Sequence, residues 1–358
     1  MSIVTCGRVW HLRGGCLALC RCTGVTSLLV LLRFYRLELI SEDGGVPVPA
    51  GIKSNRVNVA VGDRQITLSN LDKVLWPQQG FTKGDLIEYY AAVGKWLLPH
   101  LKDRPLSLVR FPDGITQKGF YQKDAPQGTP DWVRIAPVLS KDKQSYINFI
   151  LCDNMETLVW MANLGVIEIN PWLSRFTSLD NPDFAVFDID PAEGSTWADV
   201  LVVAKLVKQL LDEWKLKGFP KVSGGTGLHI YVPIEPVYTY KESAAFVQFG
   251  ATLIQQAYPE KVTLERKVKD RYGHVYIDYP QNARGQTILS VYSVKALNGA
   301  PVSVPVSWDE LDAVGPQTWN IKSAPGRLAQ TEDLFMEVLT YRQNISSILQ
   351  NALSGNTM

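Results

Sequence analysis

The sequence predicts an α+β fold, and three observations lead there. Short runs of strand formers recur along the chain, among them Phe184-Ala185-Val186-Phe187 and His229-Ile230-Tyr231-Val232. Amphipathic stretches at helical spacing are interspersed with them, as in Leu86, Tyr89, Tyr90, Val93 and Trp96-Leu97. Finally, 46% of the 358 residues are hydrophobic and 10% aromatic, the composition of an ordered protein with material for a large core. Thirty-six Lys and Arg against 35 Asp and Glu leave a net charge of +1, so any nucleic-acid surface has to be local. No apolar run is long enough to span a bilayer.

Residues 1–52 do not match the rest of the chain. Four of the five cysteines crowd there (Cys6, Cys16, Cys20, Cys22), beside a short apolar run from Ser27 to Leu32. That run is short for a secretion signal, and the cysteines lack the paired C-x-x-C spacing of a zinc site. The stretch reads as an N-terminal extension, disordered or wrongly assigned to the coding sequence, with Glu42 to Gly51 as a linker. The folded body, residues 53–358, starts near Val57. Two alternating runs around Gly62-Asp63 predict a hairpin over Val57–Leu68. Asn70-Leu71-Asp72-Lys73 makes a compact turn, and Thr82-Lys83-Gly84-Asp85 opens a helix with a capping box. Lys83 stands at a helix end that prefers acids, which suits either a docked anion or a solvated surface lysine.

Pro105–Arg110 reads as a strand. Lys118-Gly119-Phe120-Tyr121-Gln122-Lys123 sets adjacent aromatics between lysines, a pattern for stacking on a nucleotide or single strand, or a strand with one ring in the core. Strands over Asn148–Cys152 and Gly165–Trp172 flank a short helix from Asn154 to Ala162. The strand Phe184–Pro191 comes next. Alternation puts Asp188 and Asp190 on one face, where two carboxylates repel unless a cation lies between them. The other reading is one Asp capping the next loop and one solvated. A helix capped by Thr196 runs to Gly218. Ser223-Gly224-Gly225-Thr226-Gly227 lacks the ending of a Walker loop but can turn backbone N–H groups toward phosphate, with Ser223 and His229 beside it. His229 in its apolar strand also fits a core residue. Lys241–Tyr258 is helical, and Arg266–Arg271 is the densest positive run. A strand carrying Asp278, another over Leu289–Lys295, a proline-spaced segment from Pro301 to Leu311 and a terminal helix over Thr331–Leu353 complete the chain.

Read together, these motifs resemble the polymerase domain of bacterial DNA ligase D, in the archaeo-eukaryotic primase superfamily. The likeness is carried by Asn70-Leu71-Asp72-Lys73, Phe120-Tyr121-Gln122-Lys123, Phe187-Asp188-Ile189-Asp190-Pro191, Ser223 through His229, Ile277-Asp278-Tyr279, and Ala300-Pro301-Val302 through Trp308-Asp309-Glu310-Leu311, in the family's order over residues 57–340. It implies a primase-like core of two packed mixed or antiparallel sheets with flanking helices. It also implies that Asp188, Asp190 and Asp278 hold two divalent ions, Mn²⁺ or Mg²⁺, and that Ser223 and His229 touch an incoming triphosphate. Phe120 and Tyr121 match rings that stack on nucleotide and template. Asn70, Lys73 and Lys83 match a pocket for a 5′-phosphate, and Lys123 and Arg271 add positive charge toward DNA. Two positions depart from the pattern: Asn170 replaces a usual His and Lys295 a usual Arg, a fork exchanged for a point charge.

The resemblance implies template-directed nucleotidyl transfer to a primer 3′-hydroxyl at gaps, overhangs or breaks in DNA, favouring NTPs over dNTPs, within non-homologous end joining. Ligase and Ku would be separate chains, and the location cytoplasmic, at the nucleoid. A replicative priming polymerase shares these motifs. An Asp-x-Asp phosphatase would place Thr or Val after the second Asp rather than Pro191, and a non-catalytic end-binding module has no need of three acids in a basic setting.

Overall fold

The computed structural model describes residues 56–140 and 144–354, preceded by a ribbon of Ser2–Thr5 (β1) and Arg8–His11 (β2). The rest of the N-terminal extension and the linker at 42–51 lie outside the described residues. Arg56–Val61 (β3) and Arg64–Ser69 (β4) form the expected hairpin, turning at Gly62, whose φ of +57° suits glycine. A small ribbon of Val74–Trp76 (β5) and Phe81–Thr82 (β6) leads into Lys83–Leu101 (α1). Thr82 and Asp85 close the capping box read from sequence.

Two five-stranded sheets come next along the chain, and they match the α+β reading. In the first, Val166–Pro171 (β11), Leu106–Arg110 (β7), Ser145–Ile150 (β10) and Ile135–Ser140 (β9) lie in that order, with Phe120–Gln122 (β8) also on β7, all antiparallel. Strand β9 is not expected from sequence, because Pro137 breaks its pattern; it lies at the sheet edge, where a proline costs no ladder bond. Met155–Asn163 (α2), capped by Asn154, packs on α1.

The second sheet centres on Phe184–Pro191 (β12). Its order is Phe219–Val222 (β13), Leu228–Pro233 (β14), β12, Val275–Ile277 (β16) and Val262–Thr263 (β15), antiparallel except between the last two. Trp197–Glu213 (α3) and Tyr240–Ala257 (α4) cover one face of β12, where the Phe187 ring stands edge-on to Phe246, 6.2 Å away. Alternation sends Asp188 and Asp190 to the opposite face. Helix α3 stops earlier than expected: Lys215 takes the left-handed conformation at φ +58°, and Gly218 lies beyond it.

The segment after β16 stitches the sheets together. Ser290 N–H donates to Ile169 of β11, while Val222 of β13 donates to Val304. The strand expected over Leu289–Lys295 is not regular. Tyr292 sits at φ +62°, and within that stretch only Val294 bridges, to Val302. The terminal helix expected over Thr331–Leu353 is broken: Ala324–Thr331 (α5) ends where it should begin, and two short helices follow, Met336–Thr340 (α6) and Ser346–Ser354 (α7). Asp333 lies in the first break, and its buried carboxylate bonds His100 and Tyr292 rather than continuing a helix. One continuous core runs from Val59 to Leu349. Among the described residues no helix is long and apolar enough to cross a membrane.

Candidate active site

The acids meet on the face of β12 away from its helices. In the register, Asp188 stands opposite His229 of β14, and His229 opposite Lys221 of β13. Asp278, just past the end of β16 rather than within it, continues that row, because its N–H donates to the Asp188 carbonyl at 2.8 Å. Lys221, His229, Asp188 and Asp278 therefore form a line across the sheet, with Asp190 one step along β12. Gly227 fits against this line only because it lacks a side chain: a Cβ would come within 2.4 Å of the Ile189 carbonyl oxygen.

Burial dominates the electrostatics. It raises the Asp188 carboxyl well above its usual range, and repulsion from Asp190 and then Asp278 adds to the rise. Asp190 is raised by burial and by Asp278, and Asp278 by burial. Positive groups oppose this. Lys295 lowers Asp188 and Asp190, while Arg271 lowers Asp190 and Asp278. His229 Nε2 lies 3.3 Å from Asp188 Oδ1, yet that buried oxygen makes no hydrogen bond. Burial drives the His229 imidazole well below its usual value, with Lys221 and Lys295 acting the same way.

Glu168 and Asn170 lie on one face of β11. Glu168 is buried and pairs with Lys295, Oε1 to Nζ at 3.2 Å. Asn170 is buried with its Nδ2 unpaired, a donor waiting for an acceptor. The glycine-rich loop differs from expectation. The N–H groups of Gly225 and Gly227 point inward and donate to Ser223 Oγ, each at 3.1 Å. What Ser223 retains is its own O–H, which can donate to a phosphate oxygen.

The remaining predicted residues lie at two other places. Phe120 and Tyr121 are both exposed on β8, so neither ring enters the core; Arg110 sits 5.3 Å from the Phe120 ring and Lys123 is exposed beside them. Lys73 and Lys83 share the start of α1. The turn at Asn70, which has φ +53°, packs onto the helix so that Lys73 and Leu71 carbonyls accept from Lys83 and Gly84 N–H. Thr82 Oγ1 takes the Asp85 N–H. The helix N-terminus thus has its first donors occupied, and an anion there would meet ammonium groups instead of the backbone end expected from sequence. Lys73 is paired with exposed Asp113 at 2.5 Å, and buried Lys83 is lowered to about 8 by desolvation and by Lys73. Arg271, expected to face DNA, is folded back over the Tyr276 ring at 3.5 Å and donates to two carbonyls of its own loop.

Sequence reading missed Lys221 and Glu168. Both interrupt apolar strands two residues from a predicted site residue, Ser223 and Asn170, and so share its face; that offset was the available signal.

Among the described residues no three His, Cys, Asp or Glu side chains converge closely enough to cage a metal unaided. The donor set nonetheless fits a hard cation completed by substrate: mutually repelling buried carboxylates and an orphaned Asp188 oxygen match Mg²⁺-type sites, which use one or two carboxylates plus phosphate oxygens.

A family model described as LigD, primase-polymerase domain, matches residues 82–335. The multifunctional non-homologous end joining protein LigD of Pseudomonas aeruginosa is 34% identical over 292 residues, covering 80% of this chain and 34% of that protein. The bifunctional non-homologous end joining protein LigD of Bacillus subtilis is 32% identical over 254 residues, 70% of this chain and 40% of that one. The chain therefore spans well under half the length of these curated relatives. In structure it is similar to the polymerase domain from Mycobacterium tuberculosis ligase D in complex with DNA, with a TM-score of 0.72 and 29% identity over 78% of this chain and 99% of that one.

Proposed function

Since this chain belongs to the family of LigD primase-polymerase domains, we propose that it is a polymerase that extends a primer 3′-hydroxyl on a template at DNA gaps, overhangs or breaks, in non-homologous end joining. The observation that carries this reading is the row of carboxylates on β12 and after β16, with His229 beside Asp188 in that row and the Lys295 ammonium near enough to lower Asp188 and Asp190. Asp188, Asp190 and Asp278 are the groups that would hold Mn²⁺ or Mg²⁺. A divalent ion held there would neutralise charge at the phosphates and lower the pKa of the primer hydroxyl.

The chain's own residues do the rest by binding and orienting. Ser223 O–H, the unpaired Asn170 Nδ2 and the Lys295 ammonium are the groups that would bind the triphosphate. Lys295 is held by Glu168, so its charge is fixed in direction without the fork an arginine would bring. Phosphoryl transfer requires little covalent work from the protein, so positioning and charge are the main contributions. The exposed Phe120 and Tyr121 offer π-faces to nucleotide and template, which every base can use. Lys73 and Lys83 would read a terminal 5′-phosphate on the downstream strand. The preference for NTPs over dNTPs, ligase and Ku as partners and a place at the nucleoid belong to the same reading.

The test is single-nucleotide addition to a primer on gapped DNA with each of the four template bases. Incorporation should follow the template and require a divalent ion, with NTPs added faster than dNTPs. Phosphate release from simple phosphomonoesters without addition would instead establish a phosphatase.

A further inference from the structure

Lys221 is the largest charged side chain buried in the second sheet, with no solvent exposure, and the polymerase reading gives it no task. Its ammonium faces three groups: Leu289 carbonyl at 2.9 Å, Ser303 Oγ at 2.7 Å and His229 Nδ1 at 2.8 Å. The first can only accept. Ser303 spends its single proton on the Val222 carbonyl at 2.8 Å, so toward Lys221 it also accepts. Burial lowers the Lys221 amine to about 7, so below pH 7 it is chiefly an ammonium, with three hydrogens and no lone pair. Two hydrogens therefore go to Leu289 and Ser303, and the third falls on Nδ1 of His229.

We infer that Lys221 is a positioning residue for nucleotide binding: by donating to Nδ1 it holds His229 in the form protonated at Nε2, with that N–H turned toward the site beside Asp188. The opposite ring nitrogen decides which way an imidazole donates, and here that nitrogen is committed from behind. A donor at Nε2 suits a triphosphate oxygen, whereas an unprotonated Nε2 would oppose it with a lone pair. The cross-strand row supplies the geometry, since Lys221 and His229 are direct register partners on β13 and β14. This rests on the polymerase reading for its substrate but not for its structural content.

Long-range proton–nitrogen NMR on protein labelled at its four histidines tests it, the His229 signals being assigned by their loss in His229→Asn. In the wild-type protein near pH 6.5, where Lys221 is chiefly an ammonium, His229 should show Nδ1 unprotonated and Nε2 protonated. A proton on Nδ1 overturns the inference, and this measurement needs no variant of Lys221 to fold. In Lys221→Met the Nε2–H form should lose its dominance, and KM for the incoming nucleotide should rise roughly tenfold while affinity for the DNA end stays unchanged. An unaltered tautomer and KM in a folded Lys221→Met protein would show that the lysine only fills the core. If the wild-type protein adds no nucleotide, the polymerase reading fails, and the histidine spectrum still decides the tautomer.

Discussion

At Gly227 the site tolerates no side chain, because a Cβ would press on the Ile189 carbonyl at 2.4 Å and on Asp190 Oδ1 at 2.6 Å. Gly227→Ala should displace the acid, lowering nucleotide addition by an order of magnitude or more, at a stability cost of about 1–3 kcal/mol; steady-state addition and thermal melting measure the two separately. The acids pull the other way. Buried carboxylates raised by desolvation and mutual repulsion oppose folding in their charged form. Asp188→Asn should therefore raise the melting temperature of the chelator-treated protein by a few degrees, about 1 kcal/mol or more, while removing activity. A lowered melting temperature would show that Asp188 is held by contacts the structure does not reveal. Asp188 and Asp190 were legible because alternation within one strand is a local rule. Lys221 and Glu168 were not singled out, since their meaning depends on which strand lies beside theirs, and pairing order is not written in any single stretch.

The start of α1 is the element with the clearest consequence. Its backbone donors are taken by the Asn70–Lys73 turn, which leaves Lys73 and Lys83 to hold a terminal phosphate. Gapped DNA with a 5′-phosphate should bind roughly tenfold or more tightly than the same DNA ending in 5′-hydroxyl, through two charge-assisted contacts. Lys83 is charged at pH 7 and loses its proton as pH rises through about 8, so the preference should be full near pH 7 and shrink above 8. Titrations of both DNAs at one salt concentration across that range check it. Asp113→Asn frees Lys73 from its ion pair and should widen the preference; Lys73→Ala should narrow it. The capping box of α1 and the Thr196 cap of α3 were readable because a cap is settled within four residues. The breaks in the terminal helix were hidden, since the pull of Asp333 toward His100 and Tyr292 comes from residues 233 and 41 positions away.

For the whole molecule, the two sheets, their helices and the stitching segment form one core from Val59 to Leu349. Removal of residues 1–52 is expected to leave melting behaviour and nucleotide addition unchanged, and insolubility of the shortened chain would show that the extension belongs to the fold. Strand and helix patterns were enough to indicate the α+β class, and the two packed sheets were implied by the motifs' resemblance to the family. What the patterns could not convey is how the segment after β16 lies against β11, which sets Lys295 against Glu168 and leaves Asn170 Nδ2 without a partner. The most direct measurement is metal-dependent addition of one nucleotide to a primer on gapped DNA, comparing the wild-type protein with Asp188→Ala, Asp190→Ala and Asp278→Ala. All three variants should remain folded and lose addition by roughly a thousandfold or more, the scale on which removing one group from a cooperating catalytic set acts. Full activity in any one of them would contradict the assignment of the three acids to one metal-holding site.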